Sequence, residues 1–208
     1  MTLMMRTSAS RSRPSWKTWI RLVTRFRRSR DGSAAIEFAI LSIPYFLIIF
    51  AIMETFVAFI AEQVVTSAVD TLGRQIRTGN ITYGQSRSTD KTLTEFRQLF
   101  CNEISFMLRC DAAEVATPNR LYLDVRSFTY FSDIPKTITV SDGSLVTTSF
   151  AFTPGGASTI NMVRAYYYWP VTVDLVRSYI GNINRPGQTS KSDYLIVETT
   201  AFQNEAYP

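Results

Sequence analysis

Three side-chain types in this chain could do chemistry: an acid inside an apolar run, a cysteine pair, and scattered carboxylates. Residues 32–38 read Gly-Ser-Ala-Ala-Ile-Glu-Phe and join a basic leader to a long apolar segment. A carboxylate at Glu37 inside hydrocarbon costs about 2.5–3.5 kcal/mol on insertion scales, so such a group has a partner and a task. Cys101 and Cys110 are the only cysteines. The chain has no His, so no Ser-His or Cys-His nucleophile can be built, and two Cys without His leave too few ligands for a zinc site. No GxxxxGK[ST] or GxGxxG phosphate cradle is present. The carboxylates pair in no context that sets them apart from surface charge. The residues therefore point to no catalytic group, no metal site and no cofactor.

The elements that must position Glu37 follow from charge and hydropathy. Nine Lys/Arg and the single acid Asp31 give residues 1–31 a charge of +8, so the other 177 residues carry −3 of the +5 total. The whole-chain pI therefore argues nothing about nucleic acid. The basic run reads as a topogenic flank, with a nucleic-acid or anionic-lipid arm as the alternative. Residues 34–61 are long enough to cross about 30 Å of hydrocarbon at ~1.5 Å per residue. Their only charges are Glu37 and Glu54, and residues 38–52 are uncharged. The positive-inside rule places the N-terminal side in the cytoplasm and residues 62–208 on the other side. A buried core helix is the competing assignment. Pro44 predicts a kink near Ile40–Pro44. Glu54 reads as an interfacial carboxylate, or as a contact between subunits.

Past the membrane, Val64, Val65, Ala68, Val69, Leu72 and Ile76 recur at helical spacing, and Thr78-Gly79-Asn80 offers a C-cap. One helix over 34–78 would measure about 67 Å at ~1.5 Å per residue. Thr89-Asp90 opens a second amphipathic segment carrying Leu93, Phe96, Leu99, Phe100, Ile104, Met107 and Leu108. The period then shifts toward two. Strands are expected at Leu121–Arg126, at a Thr137–Val140 and Leu145–Phe152 hairpin, at Ile160–Trp169, and at Tyr194–Phe202, with a loop over 181–193. The fold class predicted is α+β: a long N-terminal helix with a membrane half and an external half, a second amphipathic helix, and an antiparallel sheet. The expected organisation is leader 1–32, transmembrane helix 33–61, helix extension 62–80 and external head 81–208. Tyr166-Tyr167-Tyr168-Trp169 reads as alternating core and outer-face rings, with a ligand-stacking platform as the other possibility. Beyond a membrane segment, Cys101 and Cys110 would meet an oxidising compartment, where a bridge is expected; free thiols or an intersubunit bridge are the alternatives. Residues nine apart in one straight helix lie about 13.5 Å apart, whereas a disulfide needs Cα atoms within about 7 Å. A bridge therefore requires the helix to end or bend between Asn102 and Arg109.

The Gly32–Phe38 junction resembles the processing site of class III signal peptides, the type IV prepilins. That resemblance implies cleavage after Gly32 by a prepilin peptidase, with Ser33 as the new N-terminus and Glu37 as the fifth mature residue. Together with Ile43-Pro44, the helix ending Arg74-Gln75-Ile76-Arg77-Thr78-Gly79, the Cys pair and the tail Phe202-Gln203-Asn204-Glu205-Ala206-Tyr207, the chain resembles the TadE-like pseudopilins of the Tad (Flp-type) pilus system. The family tail usually reads closer to Phe-Arg-Asn-Glu-Pro, so Gln203 and Ala206 depart from it. The resemblance implies a minor pilin needed for pilus biogenesis or adherence. Its implied partners are the peptidase, other pilins or pseudopilins, and an inner-membrane assembly platform. An uncleaved signal-anchored envelope protein with an external binding domain is the alternative, and an enzymatic head a third.

Overall fold

The computed structural model describes residues 31–186 and 193–207, with side chains described from Ala34 onward except that of Leu175. The basic leader lies outside the described residues. Helix α1 spans Asp31–Arg77, α2 Leu93–Ile104, α3 Ala112–Ala116 and α4 Asp174–Ile180. The strands are β1 Leu121–Phe128, β2 Val140–Ser141, β3 Ser144–Leu145, β4 Phe152–Thr153, β5 Ile160–Pro170 and β6 Asp193–Gln203. The architecture is α+β, as the alternation of periods predicts.

The chain divides into two compact units, one reaching Ile49 and the other starting at Phe50, and α1 runs through both. In the first unit the helix is bare. Ile36, Phe38, Ile40, Leu41, Ile43 and Ile48 are all exposed, and the helix assignment passes through Pro44. Among the described residues this is the one helix long and apolar enough to cross a membrane, and its most apolar window is entirely unburied. Exposure of that many large apolar side chains is what a lipid-facing segment requires.

In the second unit α1 is amphipathic. Ala61, Val65, Ala68, Val69, Leu72 and Ile76 are buried together with Phe96, Phe100 and Ile104 of α2 and Leu121, Leu123, Val125, Val163, Ala165, Tyr167 and Ile196 of the sheet. The spacing of the α1 residues makes a single stripe at helical period. Gly73 sits at the closest approach: a Cβ there would lie 2.8 Å from Thr200 Cγ2 and 3.1 Å from Phe202 Cε1. α1 ends with Gly79 at φ +78°, the left-handed conformation that terminates helices. Gly79 N donates to Ile76 O at 3.1 Å, and Asn80 N donates to Gln75 O at 2.9 Å.

α2 begins later than Thr89-Asp90 suggested. Thr92 caps it: Thr92 Oγ1 accepts from Glu95 N at 3.3 Å, and Glu95 Oε2 accepts from Thr92 N at 2.7 Å, a capping box. Asp90 instead holds the preceding loop, accepting from Thr82 Oγ1, Gln85 N and Arg87 N.

The main sheet has order β4-β1-β5-β6. β5 pairs antiparallel with both β1 and β6. β4 pairs parallel with β1, Val125 opposite Phe152. The expected antiparallel sheet is therefore mixed at this edge. The reason lies in the stretch expected as one strand, Leu145–Phe152. A turn, in which Phe150 N donates to Thr147 O, breaks it, so Phe152 enters beside β1 in the same direction. What remains of the hairpin is β2–β3 around Asp142-Gly143. The two faces of β5 separate the aromatics: Tyr167 lies in the main core, while Tyr166 and Tyr168 pack with Leu145, Ile183 and Leu195 on the other face. This follows from the period-2 alternation of a strand.

Gly73→Ala tests the α1–sheet seam. Alanine favours a helix interior by about 0.8–1 kcal/mol over glycine, yet overpacking against Thr200 and Phe202, which costs about 1–3 kcal/mol, is expected to outweigh that gain. Thermal unfolding of the detergent-solubilised chain should therefore show a lower Tm. Adding Thr200→Ser, which removes the obstructing methyl, should recover much of the loss.

Candidate functional site

The junction read from the sequence falls at the start of α1. The helix begins at Asp31, so the Gly32–Ser33 bond lies within its first turn. Glu37 and Phe38 are exposed on the helix surface.

Glu54 has a partner that its sequence position did not reveal. Its carboxylate accepts from Thr172 N at 2.7 Å and from Val173 N at 3.2 Å. Neither the interfacial reading nor the subunit contact anticipated this bond within the chain. Arg177 Nε and Nη2 donate to Val171 O, and Arg177 pairs with Asp174. The turn between β5 and α4 is thus held from both sides. A backbone N–H carries no residue identity, so nothing in residues 171–173 marks them as the carboxylate's partners.

Cys101 and Cys110 form a disulfide with Cα atoms 5.1 Å apart. α2 ends at Ile104, and the chain turns back through Leu108, which is buried. Arg109 O accepts from Tyr167 Oη at 3.2 Å, tying the bridged loop to β5.

The helix end and the C-terminal tail, remote in sequence, meet. Arg77 Nη2 lies 3.1 Å from Glu205 Oε1, and Glu205 N donates to Arg77 O at 2.9 Å. Asn204 is buried; its Nδ2 donates to Gly155 O and Gly156 O and contacts Tyr207 Oη. A Cβ on Gly79 would lie 2.7 Å from the Tyr207 ring, and the Arg87 guanidinium sits 5.5 Å from that ring's centre. The tail is an internal fastening. The Gln203 side chain donates to Ser158 O at 3.0 Å, and its backbone pairs with Ile160 at the end of the sheet.

Other buried polar groups hold turns and strands of the head. Glu114 is buried and lines an open cleft of about 660 Å³ with Arg109, Asp111, Arg120 and Tyr122. Its Oε1 accepts from Asn119 N, Arg120 N and Leu121 N, which commits it to the turn into β1. Asp124 is buried; it pairs with Arg126 and accepts from Ala151 N. Burial pushes the Tyr168 phenol up to about 12. Between α1 and β6, burial raises the Glu198 carboxyl above its ordinary range, aided by the nearby Glu62 and Asp70 charges and opposed by a hydrogen bond from Thr66. Among the described residues, no group of three or more Cys, Asp or Glu is placed to hold a metal.

The family model described as TadE-like protein matches residues 32–74. That stretch holds the Gly32–Phe38 junction, Pro44, Glu54 and most of the buried stripe of α1. The match stops short of Arg77–Gly79 and of the tail that fastens to them. No curated protein and no solved structure gives a significant match. The match and the bare apolar helix fit a Tad pilus-related envelope protein with a single membrane-anchoring segment.

Glu198 gives the head a definite pH response. Its carboxyl titrates higher in the folded than in the unfolded chain, so ionising it disfavours folding. The penalty is absent below the unfolded carboxyl range near pH 4.5 and grows as pH rises through the folded value. Glu198→Gln should therefore raise Tm at pH 7 and leave it unchanged at pH 4, as read by thermal unfolding at the two values.

Proposed function

On a chain whose residues 32–74 are TadE-like, we propose that the protein is a minor pseudopilin serving biogenesis of a Tad/Flp-type pilus and surface adherence. The observation that carries this reading is the family match over Gly32–Arg74, on a helix whose apolar face is bare. In this reading the chain is an inner-membrane, single-pass subunit. The leader lies in the cytoplasm and the head in the periplasm, and the protein is a structural subunit rather than an enzyme. A prepilin peptidase removes the leader after Gly32. The subunit then works with other pilins or pseudopilins and with the Tad inner-membrane platform.

Cleavage gives Glu37 its task. The Ser33 amine becomes a cation four residues before Glu37, at the membrane edge. The two groups pair within a subunit or between neighbours. In a low-dielectric layer the loss of either partner strands the other charge, which costs about 3–5 kcal/mol for a buried pair. The pairing therefore sets the register between neighbouring helices as they leave the bilayer.

Two measurements test the reading. Intact mass and N-terminal sequencing of membrane-extracted protein, expressed with and without a prepilin peptidase, should give a peptidase-dependent start at Ser33. A chain beginning at Met1 under both conditions would make the protein a static anchor instead. Glu37→Ala should leave membrane insertion intact and abolish piliation, and normal piliation in that variant would remove the assigned role.

A further inference from the structure

The Glu54 bond brings the head against a part of α1 that is still clad for lipid. Around Glu54, Phe50, Ile52, Met53, Phe56 and Phe59 remain more than half exposed, and the helix begins to be buried only at Ala58 and Ala61. At this same level the turn after β5 lies against the helix. Between them is a slot of about 250 Å³ lined by Phe50, Met53, Val57, Trp169 and Val173, with Glu54 and Thr172 at its edge. Glu54's two carboxylate oxygens are both engaged by backbone N–H groups. The rest of the lining is almost wholly apolar. An ordered water needs two to four polar partners, and this slot offers few. Its rim is continuous with the bare aromatic and aliphatic face of α1, a surface that calls for an apolar cover. The turn carries an interfacial signature as well: Trp169 is half-buried at the slot and Tyr179 of α4 is 89% exposed, the two residue types enriched where bilayer meets water.

We propose that this slot takes an acyl chain of the surrounding bilayer, seating the Trp169–Ile180 segment in the interfacial layer on the head's side of the membrane. This rests on the anchoring of α1 in a membrane. Glu54 is then a positioning residue. It satisfies the backbone donors of a turn that would otherwise enter that layer unpaired, and the turn in turn satisfies a carboxylate at the end of the apolar run.

The test uses the full chain with Trp16→Phe and Trp19→Phe, leaving Trp169 as the only tryptophan, reconstituted in phosphatidylethanolamine/phosphatidylglycerol vesicles. Lipids carry a nitroxide quencher either near the headgroup or deep in the acyl chain. The chain should float with the vesicles, and Trp169 fluorescence should be lost to the shallow quencher more than to the deep one. Val57→Phe, which narrows the slot, should reduce that loss with flotation unchanged, and Glu54→Ala, which frees the turn, should abolish it. A floated chain with unquenched Trp169 overturns the proposal and leaves the anchor standing. If its emission then shifts with the protein-to-lipid ratio, a second copy covers the slot instead. Quenching indifferent to Val57→Phe overturns the assignment of the slot. A chain that fails to float overturns this proposal and the membrane anchor together.

Discussion

The main core of the head is built against one stripe of α1. Ala61, Val65, Ala68, Val69, Leu72 and Ile76 are buried on the same face of the sheet as α2, and apart from Leu72 these residues are small or β-branched. That choice lets helix and strand approach closely, most of all at Gly73, where Thr200 and Phe202 occupy the space a side chain would need. The same helix meets the opposite demand near its start, where its large apolar residues are exposed. One continuous helix thus carries two solvation regimes. The change is written in its composition: large apolar residues face all round as far as Ile60, then from Glu62 a narrow apolar stripe runs with polar residues on most other positions.

The seam closes late in the chain. α1 is the first described element, and its sheet partner β6 is the last strand; the tail that fastens Arg77 and Gly79 follows β6. β5 cannot complete its antiparallel pairing until Asp193–Gln203 is present. Such long-range closure makes folding slow and leaves apolar surface exposed meanwhile. The disulfide and the capping box lie between these ends and use only local contacts. They can order α2 and its return loop before the final strand arrives.

This division also explains what could be read from the sequence. The α1 stripe repeats at a period of 3.6, β5 and β6 are runs rich in β-branched and aromatic residues, and Gly79 marks a helix stop by its type, so the residues themselves announce them. β4, with two residues, is too short to show any period, and its parallel direction depends on a turn at Thr147–Phe150. α4 went unread for a related reason: Val173 at its start has no side-chain cap, and the carboxylate holding that turn comes from Glu54. The Arg77–Glu205 and Gly79–Tyr207 contacts join two motifs that the resemblance had singled out separately. A contact across 128 residues leaves no local pattern in either. The Gly32–Phe38 junction was legible because its signal is compositional, a small residue and an acid at the threshold of an apolar run.

Carboxylates carry many of the polar contacts in the head, and they pull in opposite directions with pH. Asp90 is held below the usual carboxyl range chiefly by the Thr82 hydroxyl, and Glu95 by the Thr92 backbone N–H. Groups lowered in this way stabilise the fold above their unfolded values, and that stability is lost as pH falls through the folded ones. Glu198 is raised instead, so acidification relieves it. Their locations differ: Asp90 and Glu95 organise the loop and cap leading into α2, whereas Glu198 lies on the seam between α1 and β6. Acidification therefore withdraws the support that Asp90 and Glu95 give the loop and cap leading into α2, and relieves the penalty of ionising Glu198 at the α1–β6 seam.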